Sequence, residues 1–139
     1  MDTTKDHEYA WNWFEYHAGQ RLTEFRFFLI FFGALALGFR IGLEDGNLII
    51  ARGICAFGVF VSFAFLMLDY RNEQLVNVGR DALMYLEQSN EPKLQLLNVD
   101  QHRSCWLMSH GFWFKTIYVV CMVLFIIGAF YPRIVLTAA

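Results

Sequence analysis

Apolar residues fall into three long blocks that are separated by polar segments. The first block covers residues 25–43, the second 48–68 and the third 116–132. Each matches the length of roughly 17–25 apolar residues that a helix needs to cross the hydrocarbon core of a bilayer. None of the blocks carries a charge near its centre. The pattern predicts an all-α integral membrane protein with three transmembrane helices.

The segments beside the blocks predict further helix. The short stretch 44–47 (EDGN) can only join antiparallel neighbours, so 25–68 is predicted as a transmembrane helical hairpin. No proline interrupts the aromatic stretch before it, which predicts a cytoplasmic amphipathic helix over 1–24 that runs into the first span. Leu75, Leu83 and Leu86 recur at helical spacing and predict a cytoplasmic helical segment within 69–110. Residues 111–139 are predicted to form the third span and a short outer tail.

Composition supports a membrane protein. The chain is 57% hydrophobic and 17% charged, whereas soluble domains average about 45–50% apolar and about 25% charged. A net charge of −2 argues against a nucleic-acid binder, whose surface is usually basic. The three cysteines form no CxxC pattern, so neither a zinc site nor a disulfide framework is predicted. We therefore expect no metal, no cofactor and no enzyme activity.

The basic residues predict an orientation in the membrane. Eight of the eleven flank the predicted cytoplasmic side: Lys5, Arg21, Arg26, Arg71, Arg80, Lys93, Arg103 and Lys115. Because loops rich in lysine and arginine stay in the cytoplasm, we predict a multi-pass protein of the cell inner membrane. Its N-terminus would be cytoplasmic and its C-terminus outside.

Two sets of residues are candidates for holding the helices in place. The predicted interfacial anchors are Trp11, Trp13, Arg26, Arg40, Arg52, Trp113 and Lys115. The predicted close-packing positions are Ala34, Gly38, Gly42, Gly58 and Ser62. These small residues can serve packing within the hairpin or between subunits, and the sequence leaves both open. Without central charges, a buried ion-pair site is not predicted.

Arg103 and His110 form the best enzyme-like pattern, R-x6-H. The pattern resembles the loose R-x(4–6)-H signature of HEPN ribonucleases, which would make both residues catalytic. A basic cluster close to the membrane is the commoner explanation for such a pair.

Two stretches carry a resemblance to known proteins: WNWFEYHAGQR (11–21) and LDYRNEQLVNVGRDAL (68–83). They resemble small prokaryotic multi-helix membrane proteins, including the pore-forming accessory proteins of type VI CRISPR systems. The resemblance implies ring oligomers that depolarise the inner membrane during phage infection.

Three function hypotheses follow. The first is a homo-oligomeric pore or membrane-perturbing effector in antiphage defence. The second is a membrane adaptor that recruits a cytoplasmic partner through residues 69–110. The third is a membrane-bound HEPN-like ribonuclease. The expected partners are the lipid bilayer, further copies of the chain and a cytoplasmic defence protein, with no direct nucleic acid.

Overall fold

The computed structural model describes residues 3–89 and 110–132 of the chain. They form three helices, α1 (Thr3–Glu44), α2 (Leu48–Ser89) and α3 (His110–Phe130), with no strand in either range. The prediction of an all-helical chain is confirmed for these residues. Most of the predicted segment between the second and third spans, and most of the outer tail, lie outside the described residues.

A tight turn joins α1 to α2. The Asn47 amide donates to the Gly42 carbonyl at 3.0 Å and the Gly46 amide to the Leu43 carbonyl at 3.1 Å. This is a Schellman motif, and it requires the left-handed backbone that Gly46 adopts with φ 70°. Asn47 then caps α2, because its side-chain oxygen accepts a bond from the Ile50 amide at 3.2 Å. The turn therefore reverses the chain into an antiparallel hairpin.

The helices differ in length. α1 and α2 contain 42 residues each and α3 contains 21, which correspond to about 63 Å and about 32 Å at 1.5 Å per residue. The hydrocarbon core is about 30 Å thick. The hairpin is thus twice as long as a span, and α3 packs along the half that contains the turn. We call the other half, residues 5–24 of α1 and 69–87 of α2, the stalk.

All three helices are long and apolar enough to cross a membrane. Their most apolar windows are only 17–22% buried within the chain. Large side chains such as Ile30, Ile49 and Phe60 lie on the outside. In water such a surface would be costly, whereas lipid tails would cover it without penalty.

Aromatic side chains form the contact between α1 and α3. Phe25 stacks on Phe114 with ring centroids 4.4 Å apart, and Phe28 meets Tyr118 edge to face at 4.6 Å. Phe28 and Tyr118 are each 1% exposed and form the core with Cys121. Such pairs prefer offset-stacked or edge-to-face geometry, so they fix how α3 sits on the hairpin.

The predicted close-packing positions lie in different places. Gly38 and Gly42 face α2, where an added Cβ would lie 3.4 Å from Ile54 and 3.3 Å from the Ala51 backbone. Gly58 faces α3, and Ala34 is exposed. Ser62 is buried and donates to the Gly58 carbonyl at 2.8 Å. The contacts of Gly38, Gly42 and Gly58 are made within one chain, and packing between subunits stays a prediction.

Candidate functional site

A partly buried polar cluster lies where the stalk meets the three-helix half of the protein. We call it the polar clamp; it consists of Arg21, Glu24, Asp69, Asn72, Glu73 and Lys115. Each helix contributes at least one member. Arg21 and Glu24 come from α1 just before the first apolar block, and Lys115 comes from α3 just before the third.

The centre of the clamp is a bidentate ion pair between α1 and α2. Arg21 Nε donates to Asp69 Oδ1 at 2.6 Å, and Arg21 Nη2 donates to Asp69 Oδ2 at 3.0 Å. The side chain of Arg21 is 12% exposed and that of Asp69 is 2% exposed. Buried charges are tolerated only when they are paired and hydrogen-bonded, and the planar guanidinium suits a carboxylate in two-point contact.

Asp69 also keeps Arg21 firmly charged. Burial alone would lower the pKa of the Arg21 guanidinium, but the hydrogen bond and negative charge of Asp69 outweigh it, and Glu73 adds to the effect. The pKa of Arg21 therefore lies above its ordinary value. The pair is a permanent charge contact between the two long helices.

A second polar contact lies beside the ion pair. Asn72 Nδ2 donates to the Glu24 carboxylate at 2.5 Å, and Asn72 is buried. Asn72 lies three residues after Asp69, and Glu24 lies three after Arg21, so each pair shares one helix face. The hairpin is thereby held by two neighbouring polar contacts at one level.

The α3 helix is tied to the clamp through Glu73. Lys115 Nζ makes an ion pair with Glu73 Oε2 and lies 5.4 Å from the centroid of the Tyr70 ring. Arg21 Nη2 is 3.5 Å from the same Glu73 oxygen. Gly111 makes this approach possible, since a Cβ there would lie 3.1 Å from both Arg21 and Glu73 side-chain atoms. Glu73 is thus shared between a cation of α1 and a cation of α3.

The stalk carries an apolar groove on its surface. Trp13 Nε1 donates to the Leu75 carbonyl at 3.1 Å, and Gly79 lets Trp13 and Phe14 approach α2 closely. The groove has a volume of about 160 Å³ and is lined by Tyr9, Ala10, Trp13, Val78, Gly79 and Ala82. An apolar side chain of a partner could fit into it.

The predicted anchors divide into two groups. Trp11, Arg26, Arg40, Arg52 and Trp113 are exposed, and Arg40 pairs with Glu44 at 2.8 Å. Trp13 packs within the stalk, and Lys115 belongs to the clamp. Their use at a lipid headgroup boundary stays a prediction.

The hypothesised catalytic pair lies largely outside the described residues. Arg103 is outside them, and His110 is the first residue of α3, with a side chain that is also outside them. Within the described parts of the chain, no group of three or more His, Cys, Asp or Glu residues is placed to hold a metal.

The prediction that the spans hold no buried ion pair concerned charges near their centres, and Arg21 and Asp69 lie just outside the predicted spans. The composition of the spans therefore gave no sign of this pair. A signal was present in the spacing, since Arg21 and Asp69 lie equally far along the sequence on either side of Asp45. A hairpin that turns at Asp45 therefore brings the two residues to the same level.

One curated relative resembles the chain over much of its length. The chain is 35% identical over 96 residues to CD-NTase-associated protein 19 of Escherichia coli. The match covers 67% of this chain and 64% of that protein, so the chain spans less than two thirds of its relative. No protein-family profile and no solved structure matches the chain.

The relative changes the expectation drawn from the resemblance to type VI CRISPR accessory proteins. Its name associates that protein with a CD-NTase, and nothing in the similarity points to type VI CRISPR specifically.

Proposed function

We propose that this protein is a membrane-embedded effector of an antiphage defence system, and that it acts by making the inner membrane permeable. The main support is the joint occurrence of three helices long enough to cross a bilayer and similarity to a CD-NTase-associated protein. The described parts of the chain hold no group of residues placed to bind a metal. Its apolar surface and its clamp suit an assembly in lipid better than they suit catalysis.

Permeation requires more than one copy of the chain. Three short spans cannot enclose a path for ions, whereas a closed ring of identical subunits places one span of each around an axis. The contacts of Gly38, Gly42 and Gly58 are taken up within the subunit. Gly33 and Gly53 face open space, so neighbouring subunits can approach closely at those positions.

Ion leakage tests the proposal. Purified protein in potassium-loaded vesicles of phosphatidylethanolamine and phosphatidylglycerol is expected to release potassium faster than protein-free vesicles. A variant with Arg103→Ala and His110→Ala is expected to leak like the wild type, since a ribonuclease site has no part in permeation. Vesicles that stay tight, both alone and with extract from phage-infected cells that contain a CD-NTase, would contradict the proposal. The native mass of the detergent-extracted protein, with detergent subtracted, gives the subunit number.

The apolar groove favours the adaptor as a second candidate. Val78 and Ala82 line the groove, while Asn77 is exposed on the same helix and is not part of it. Val78→Arg with Ala82→Arg is expected to abolish co-purification of a co-expressed CD-NTase if the stalk recruits that protein. Asn77→Arg is the matched control, with the same kind of charge change outside the groove. Equal capture by both variants would remove the groove from the interaction.

A further inference from the structure

We infer that the Lys115–Glu73 ion pair is a releasable latch that holds α3 against the hairpin, and that its opening frees the N-terminal end of α3. The inference rests on the proposed function for its biological meaning. The latch itself can be tested without any leakage measurement.

The clamp contains two ion pairs that differ in burial and in the number of atoms in contact. The Arg21–Asp69 pair is bidentate, and both side chains are nearly or fully buried. The Lys115–Glu73 pair is a single contact, with side chains 34% and 27% exposed. The Glu73 oxygen in this pair is itself buried, but water can solvate Lys115 when it leaves and Arg21 stays beside Glu73, so this contact opens at a lower cost than the Arg21–Asp69 pair does.

Glu73 has a second cation nearby. Arg21 Nη2 lies 3.5 Å from the Glu73 oxygen that Lys115 contacts. When Lys115 moves away, Glu73 keeps a positive neighbour, and no buried charge is left alone. A large penalty for an unpaired charge is therefore avoided in the open state.

The stalk provides a route by which a signal can reach the latch. Glu73 lies on α2, which continues without a break from the second apolar block to Ser89. Trp13 and Gly79 couple the two stalk helices about two turns from the clamp. A partner that rotates or separates the stalk helices would move Glu73 relative to Lys115.

α3 is otherwise held by aromatic contacts. Phe114 stacks on Phe25, and Tyr118 packs on Phe28. These contacts are short-ranged and lose their energy once the rings separate by a fraction of their contact distance. The latch therefore requires a second, undocked position of α3, which together with the docked one would form the two-state element that a switch needs.

Distance measurements test the latch directly. Met67 on α2 and Val120 on α3 are both exposed, and each can be changed to cysteine and spin-labelled in a background lacking Cys55, Cys105 and Cys121. Double electron–electron resonance is expected to give one main distance in the protein that keeps Lys115. Lys115→Met is expected to increase the population of molecules with a longer distance. The fraction in this population is expected to be roughly threefold to tenfold higher than in the protein that keeps Lys115.

Two controls accompany the measurement. Lys115→Arg keeps the charge and is expected to keep the single distance. Arg40→Gln removes an ion pair of α1 that links no other helix, since Arg40 pairs with Glu44 one turn along, and is expected to change nothing. An unchanged distance distribution in Lys115→Met would overturn the latch.

An engineered disulfide between α2 and α3 makes it possible to distinguish a failure of the latch from a failure of the proposed permeation. A Cβ at Gly128 would lie 3.0 Å from Cys55 Sγ, close to the Cβ–Sγ separation of a disulfide whose S–S bond is about 2.05 Å. Gly128→Cys, with Cys105→Ser and Cys121→Ala, is expected to form this bond when copper phenanthroline and oxygen remove two electrons and two protons. The bond holds the end of α3 opposite the latch, so the distance change in Lys115→Met is expected to persist. Leakage that requires the whole of α3 to leave the hairpin is expected to be suppressed, and reduction by dithiothreitol is expected to restore it. If the distances change in Lys115→Met but no variant leaks, the latch stands and the proposed permeation fails.

Discussion

Asp69→Ala is expected to destabilise the protein by about 3–5 kcal/mol, the cost of breaking a buried ion pair by removing one partner. The Arg21 guanidinium would remain buried without its two-point contact. Glu73 at 3.5 Å offers partial compensation, so the lower end of the range is expected. Titration with sodium dodecyl sulfate in mixed micelles, followed by circular dichroism, measures the free energy of unfolding.

The exposed ion pair of Arg40 and Glu44 provides the matched control for Asp69→Ala. These side chains are 76% and 56% exposed, so Arg40→Ala is expected to change stability by about 0.5 kcal/mol or less. The double variant Arg21→Met with Asp69→Leu removes both charges and is expected to recover much of the loss, because no unpaired charge remains. Equal stability of Asp69→Ala and Arg40→Ala would show that the buried pair does not hold the hairpin.

The sequence predicted the helices well, because the signal for a membrane span is strong. Three apolar blocks and a turn that contains Gly and Asn define the hairpin and α3 without any knowledge of tertiary contacts. The lack of proline before residue 43 also predicted that the aromatic stretch joins the first span, and α1 is indeed one helix. These features depend on local composition, which a sequence displays directly.

The clamp was harder to predict because it depends on which helices face each other. The turn places Arg21 and Asp69 opposite each other along the hairpin. Their burial, however, depends on the position of α3. Lys115 looked like a headgroup anchor, since lysine at the end of a span commonly is one. Its contact with Glu73 joins residues that are far apart in the sequence, and no periodicity encodes such a pair.

The small-residue pattern shows the same limit. A glycine or serine every four residues predicts that something packs closely, but it does not identify the neighbour. Gly58 and Gly42 share this pattern, yet Gly58 meets Phe125 of α3, whereas Gly42 meets Ala51 of α2. Gly53 lies between them in the same hairpin and meets nothing. Only the arrangement of the three helices distinguishes these positions. Alanine substitutions at Gly58 and Gly53 can therefore be compared directly.

Gly58→Ala is expected to destabilise the protein by about 1–3 kcal/mol, the usual cost of overpacking a tight contact. The added Cβ would lie 2.7 Å from three carbons of the Phe125 ring. That ring is held in turn by Phe32, with centroids 5.4 Å apart, so it cannot turn away freely. In an open helical position the same change would favour the helix by about 1 kcal/mol.

Gly53→Ala is the control for packing within the subunit, since nothing in the same chain lies within 4 Å of a Cβ there. It is expected to leave stability unchanged or slightly higher in the same detergent titration. Phe125→Val in the Gly58→Ala background removes most of the ring and is expected to recover part of the loss, because the two changes act at one contact. If Gly58→Ala were as stable as Gly53→Ala, α3 would not pack on α2 through Phe125. The docked position that the latch requires would then lack this contact.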